Sequence, residues 1–297
     1  MSETPFTIPA PDGHTIHGTS WMPDHPPKAF VQIAHGRGEH GGRYRPFAQA
    51  LALAGYGVYV PDHRGHGPSA RDAGQLGDFG PRGFAAVIDD MAIVSREIRR
   101  RHPGQSVLLF GHSMGSFAAQ YYLLEHSALI DALALCGTAA VDLRNPEKSG
   151  ALAMDFLAEL ENPRTEADWL SRDEAIVDAY LADPLCGFGL TPASQASMYA
   201  DADRTADAGE YHGVRRDLPI TLITGDRDPV NRFLAWFEPL AARYRGLGFT
   251  DVSTHVYGGA RHEPLNELNR HEVFTNQIAW FDRVTNQPAA FTAHSAI

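Results

Sequence analysis

The feature that most constrains this chain is a change of hydrophobic period that repeats along it. Short runs rich in Val, Ile, Leu and Tyr at 29–34, 57–61, 107–110, 132–135, 220–224 and 252–257 predict strands. They alternate with stretches of helical period at 46–54, 84–101, 114–125, 233–245 and 271–285. In the second of these stretches Val87, Ile88, Met91, Val94 and Ile98 recur at three- and four-residue spacing, with Asp and Arg between them. Strands joined through helices pair in parallel, and their continuous apolar runs require cover on both faces. The expected class is α/β, with a mostly parallel sheet between two helical layers. Two earlier stretches around 6–8 and 15–19 flank Pro11-Asp12-Gly13 and predict a leading hairpin.

The alternation stops between about 141 and 216, where helical stretches at 150–160, 171–181 and 193–203 follow one another with no strand pattern. It resumes at Leu218. A helical insertion between two strands of one sheet is therefore expected, with a core of 1–140 and 217–297 around an insertion of 141–216. A chain of 297 residues has ample length to bury the core of such a domain.

Composition narrows the partners. The chain has 36 Asp+Glu against 25 Lys+Arg, a net charge of −11, which repels nucleic acid and anionic membrane surfaces. Residues 1–10 lack the basic and apolar regions of a targeting signal, and the longest uncharged apolar stretch, 46–61, is too short for a membrane anchor. The two cysteines, Cys136 and Cys186, make no disulfide framework and have no metal-ligand spacing. A reduced, cytoplasmic protein is expected; no oligomeric state follows from the sequence.

The chemistry-bearing signal is Gly111-His112-Ser113-Met114-Gly115. G-x-S-x-G alone is weak, but here it directly follows the apolar run VLLF and opens the apolar stretch SFAAQYYLL. A sharp strand-to-helix turn of this kind exposes a serine hydroxyl at the end of a sheet. The bland alternative is a Gly-rich turn with an inert serine, and the partners farther along the chain weigh against it.

A serine hydroxyl attacks only when a histidine takes its proton and a carboxylate holds that histidine in the right tautomer. On a sheet scaffold both partners follow the serine, carboxylate first. After the predicted strand at 220–224 comes Gly225-Asp226-Arg227-Asp228-Pro229. Asp228 lies deeper in the loop, with Pro229 keeping its backbone extended, and is favoured over Asp226, which is as well suited to capping a turn. After 252–257 comes Gly258-Gly259-Ala260-Arg261-His262. His262 lies in this loop, whereas His255 falls within a strand and His271 within a helix.

The oxyanion needs two amide donors. One is the N–H of Met114, which follows the nucleophile; the other is assigned to the N–H of Arg37, within His35-Gly36-Arg37-Gly38-Glu39-His40. The histidines at 35 and 40, and at 63 and 66 within Asp62-His63-Arg64-Gly65-His66-Gly67, lack HExxH spacing. No metal and no cofactor is expected; the 62–67 stretch is expected to be a tight loop supporting the oxyanion segment.

Together, HGRGEHGGRY at 35–44, VPDHRGHGPSA at 60–70, GHSMGS at 111–116, TGDRDPV at 224–230 and GGARHEPLNE at 258–267 resemble the monoacylglycerol lipase/lysophospholipase branch of the α/β-hydrolases, of bacterial type, the branch also labelled serine aminopeptidase-like. The resemblance runs in order over nearly the whole chain. It implies an eight-stranded α/β-hydrolase sheet, Ser113 as nucleophile, Asp228 as acid, His262 as base, and oxyanion amides at Arg37 and Met114. It also implies that the insertion is a helical lid, of which 183–191 (DPLCGFGLT) is similar to a lid segment of bacterial members. Arg37 stands where this branch usually carries a small residue.

The function expected is a cofactor-free serine ester hydrolase acting on small single-chain acyl esters of monoacylglycerol or lysophospholipid type. A proline-iminopeptidase-like peptidase is a rival, since Glu159, Glu161, Glu166, Asp173 and Glu174 are available to capture an amine. A C–C hydrolase or cofactor-free peroxidase shares the frame, and a non-catalytic binding module is the reading from another class. Ser113 at the elbow excludes an Asp-nucleophile dehalogenase or epoxide hydrolase.

Overall fold

Eight strands form one sheet in the order β1-β2-β4-β3-β5-β6-β7-β8. They are β1 Ser2–Pro9, β2 Thr15–Met22, β3 Phe30–Ala34, β4 Gly57–Pro61, β5 Val107–His112, β6 Ala132–Cys136, β7 Ile220–Gly225 and β8 Val252–Tyr257. The architecture is that of an α/β-hydrolase, seen in a computed structural model that describes residues 1–70, 73–149 and 155–286. β1 and β2 make the antiparallel hairpin, β2 pairs antiparallel with β4, and every pairing from β4 to β8 is parallel.

Residues of the central strands point alternately into two cores, as the pleat requires. Val107 and Leu109 of β5 join one, packed by helices α2 (Phe84–Arg101), α3 (Met114–His126) and α8 (Glu238–Gly246). Leu108 and Phe110 join the other, packed by α1 (Arg45–Leu53) and α9 (Arg270–Thr285). Gln32 of β3 lies in the first core, where its amide donates to Met91 O and accepts from Ser95 Oγ, so no polar atom is stranded. Among the described residues, no helix is long and apolar enough to cross a membrane.

The connection from β6 to β7 carries short helices, α4 Val141–Arg144, α5 Pro146–Ser149, α6 Glu174–Ala182 and α7 Pro192–Ser197. Three helical expectations need adjustment. Of 150–160, the first five residues lie outside the described residues and 155–160 forms turns, with Leu157 N–H donating to the Asp155 carboxylate. The stretch 193–203 divides between α7 and a 3-10 turn at Ala202–Thr205. α8 begins at Glu238, not Phe233, because Arg232, Phe233 and Leu234 all take positive φ before Pro239 can start the helix.

Candidate active site

Ser113 sits between the end of β5 and the start of α3 with φ 50 and ψ −119. A non-glycine residue there stores backbone strain, of order 1–3 kcal/mol, that the surrounding structure must hold. The hold is steric as well as hydrogen-bonded. A Cβ on Gly115 would lie 2.2 Å from Ala34 O, so only glycine lets α3 close onto β3. Ser113 N–H extends the ladder to Cys136 O at 2.9 Å. Cys136 itself is fully buried at the end of β6.

The β7 and β8 loops bring Asp228 and His262 to the serine. His262 Nε2 is 2.8 Å from Ser113 Oγ, and its Nδ1 is 3.0 Å from Asp228 Oδ1. Asp228 is fully buried and accepts from Val230 N–H at 2.8 Å, from Asn231 Nδ2 at 3.1 Å and from Thr224 Oγ1 at 3.2 Å. Those bonds fix both carboxylate oxygens, so the imidazole is oriented by a group that is itself held. Asp226 is elsewhere: its Oδ1 caps the Gly259 N–H at 2.7 Å. His255 lies within β8 and His271 within α9.

Arg37 and Met114 both line the cavity at Ser113. In the β3 loop the flanking amides are committed: Gly36 N–H donates to Glu39 Oε1 at 2.5 Å and Gly38 N–H to His66 Nε2 at 3.2 Å. The loop thus turns on either side of Arg37 against fixed acceptors. The 62–67 loop supplies one of them, and His35 Nε2 accepts from His63 N–H at 2.9 Å. Burial lowers His66 to about 4 and His63 to about 3, and depresses His35 as well. Neutral rings with a free lone pair are what these contacts require.

Beneath the histidine lies a buried polar network that sequence reasoning missed. Arg43 makes two 2.7 Å bonds to Glu263 and an ion pair with Glu39. Tyr44 O–H donates to Glu39 Oε1 at 2.6 Å and lies 2.8 Å from His112 Nδ1. His112 Nε2 reaches His262 O at 3.2 Å, holding the backbone of that residue. Burial alone would depress His112, but the Glu39 carboxylate beside it turns the net shift upward. The available signal was position: His112 precedes the serine and Glu263 follows the histidine.

The cavity has a volume of about 260 Å³. Its floor is Ser113, Met114 and His262; much of its wall, including Arg144, Phe156, Trp169, Tyr180, Phe188 and Tyr199, comes from the β6–β7 connection. Trp169 lies against the His262 ring with centroids 5.2 Å apart. One group of metal-ligating side chains occurs among the described residues, His40, Asp183 and Cys186, with ligand atoms within 4.8 Å of one another. His40 Nε2 is hydrogen-bonded to Asp183 at 2.9 Å, which ties the β3 loop to the connection, and burial pushes the Cys186 thiol up to about 12, so the sulfur beside them is neutral.

A hydroxyl, an imidazole and a carboxylate in series is an arrangement for acyl transfer through a covalent intermediate. Comparison with known proteins agrees. The family described as "Serine aminopeptidase, S33" (Hydrolase_4) matches residues 25–269. The chain belongs to this family. It is a serine hydrolase of α/β-hydrolase fold. It is 30% identical over 271 residues to a monoacylglycerol lipase of Mycolicibacterium smegmatis, covering 88% of this chain and 90% of that one. A monoglyceride lipase of Rattus norvegicus is 29% identical over 73% of this chain and 71% of its own length. Among solved structures, a carboxyl esterase from Bacillus coagulans in complex with glycerol superposes with a TM-score of 0.85 at 28% identity, covering 96% of this chain and 99% of that one.

Proposed function

We propose that this serine ester hydrolase cleaves single-chain acyl esters of the monoacylglycerol or lysophospholipid type, with Ser113 as nucleophile. The observation that carries the reading is the continuous hydrogen-bonded series from Ser113 Oγ through His262 to the buried Asp228. His262 Nε2 takes the hydroxyl proton as Ser113 Oγ attacks the ester carbonyl. Asp228 keeps the Nδ1 proton in place and stabilises the imidazolium. The Arg37 and Met114 N–H groups receive the oxyanion. Collapse expels the alcohol, protonated by His262; water, activated by the same ring, then releases the acid.

The same reading makes 141–216 a lid over a frame of 1–140 and 217–297, because the connection supplies most of the apolar wall above the serine. Each CH₂ of an acyl chain buried there contributes about 0.8 kcal/mol. Likeness to the mycobacterial monoacylglycerol lipase and the Bacillus esterase supports an ester of this kind as substrate. Two free cysteines fit a reduced, cytoplasmic setting. A peptidase reading draws on Glu166, the one exposed carboxylate on the cavity wall, as a capture group for an amine. The other wall carboxylates, Glu39 and Glu263, are already held by Arg43.

The test is a panel of p-nitrophenyl esters of increasing chain length, with a monoacylglycerol, a lysophosphatidylcholine and amino-acyl anilides. Ester turnover should exceed anilide turnover. Ser113→Ala should reduce it by about 10⁶-fold while the melting profile and fold persist. Undiminished turnover by the variant would remove Ser113 from the mechanism, and a wild-type chain unlabelled by a fluorophosphonate probe would favour a binding role.

A further inference from the structure

Two arginines face the cavity that holds Ser113, and neither side chain is used by the chemistry derived above. Arg37 extends from the β3 loop and Arg144 from the end of α4, and both line the cavity. Arg144 is only 8% exposed, yet its Nε is buried with no hydrogen-bond partner among the described residues. Its guanidinium lies over the Phe117 ring at 5.8 Å, a contact that covers a face of the cation and satisfies none of its N–H groups. Among the described residues the Arg37 side chain hydrogen-bonds only to Gln195 Oε1, at a long 3.4 Å. The charged and phenolic groups that act on Arg37 are Arg144, Tyr199 and Tyr180, none of them a carboxylate.

This differs from the rest of the cavity. Arg43 on the same side of the molecule is neutralised by Glu39 and Glu263. Glu166 is exposed and free to be hydrated. Arg144 is a buried cation without a counterion, which is costly, and the exposed Arg37 on the same cavity adds repulsion to it. Such a pair becomes favourable when an anion enters between them, because guanidinium groups bind carboxylate or phosphate oxygens in planar, charge-assisted fashion.

We propose that Arg37 and Arg144 form an anion subsite in the Ser113 cavity, and that the preferred substrates are acyl esters carrying a carboxylate or a phosphate a few bonds from the scissile carbonyl. The proposal rests on the esterase reading and narrows it. The anion would fix the substrate's register, setting the ester carbonyl between Ser113 Oγ and the two amides. Arg144 acts here through binding and takes no proton.

Two matched pairs of substrates test it, with neutral and anionic members of equal length. On the acyl side these are p-nitrophenyl hexanoate and the p-nitrophenyl half-ester of adipic acid; on the alcohol side, a monoacylglycerol and the corresponding acylglycerol phosphate. Wild-type enzyme should favour the anionic member of at least one pair by about tenfold in kcat/KM, mainly through KM, and Arg144→Gln should erase that preference, as loss of one charge-assisted contact predicts. Arg144→Lys should restore part of it. Glutarate or inorganic phosphate should inhibit wild-type turnover of the neutral ester competitively, a readout that stands if Arg144→Gln does not fold. Equal or better turnover of both neutral members, with no inhibition by either anion, would overturn the subsite while leaving the esterase intact. Absence of turnover on all four esters would instead overturn the esterase reading.

Discussion

The sheet frame and the β6–β7 connection hold their side chains in different ways. In the frame, β3, β5 and β6 are buried at every residue, and the loop leaving the C-terminal end of β3 closes against the fixed acceptors Glu39 and His66. In the connection, α6 buries only Val177, and its own apolar cluster is Ala167, Leu170 and Val177 with Trp169 and Tyr180 against them. Catalytic geometry tolerates errors of well under an ångström, whereas a wall that receives an acyl chain needs only apolar area and the right shape. On the proposed reading, the frame carries the reacting atoms and the connection most of the apolar cavity wall.

Substitutions on either side sharpen that division. Asp228→Asn should lower kcat by about 10⁴-fold, because the amide no longer holds the required His262 tautomer, while urea unfolding stays close to wild type. A variant within tenfold of wild type would give the acid role to another group, Asp226 first. Gly115→Ala should destabilise the fold by about 3 kcal/mol or more, since the new methyl meets Ala34 O at 2.2 Å. A normal unfolding midpoint for it would mean that α3 and β3 can part.

The pH response should also belong to the frame. Folded His66 binds its proton more weakly than the unfolded chain, at about 4 against the ordinary 6.5. Its contribution to stability is therefore lost as pH falls through that window, with His35 and His63 acting in the same direction. Asp62, raised to about 6 by burial, opposes them in part of the window, because the folded state favours its protonated form. His66→Gln retains an acceptor for Gly38 N–H and should remove about 1–3 kcal/mol of the loss between pH 7 and 4.5, measured by urea titration at both values.

Smaller effects are expected in the connection. Trp169→Ala should raise KM for a medium-chain ester about tenfold with little change in kcat, reflecting lost wall rather than lost chemistry. Gly213→Ala meets no atom within 4 Å and should shift stability by less than about 0.5 kcal/mol. A large penalty there would show the connection to be as rigidly built as the sheet.

What could be read from the sequence follows the same line. The central strands declared themselves because each is a short, mostly apolar run, and the elbow because glycines bracket a serine at the end of one. Asp228 and His262 were legible as loop residues after strands, with Pro229 separating the first from Asp226. The Glu39–Arg43–Glu263–His112 network was not, because Arg43 and Glu263 lie 220 residues apart and charged residues have no period. Nor was the start of α8, where three successive positive φ values depend on the Asn231 carbonyl and side chain accepting from Trp236 and Leu234. In the connection, helical period over 150–160 promised a helix that its own side-chain hydrogen bonds break, at least beyond 155.

The loop that carries His262 is stitched to the connection rather than to the sheet alone. Glu263 N–H donates to Leu170 O at 2.8 Å, Arg261 Nη1 to Ser171 O at 2.9 Å, and Arg172 Nε to Glu267 at 2.8 Å. These bonds make 168–172 and 261–267 a single heritable piece, although about ninety residues separate them. A chimera that imports the connection of a relative without its histidine loop would inherit a misaligned base, so recombination among such enzymes should preserve the two together.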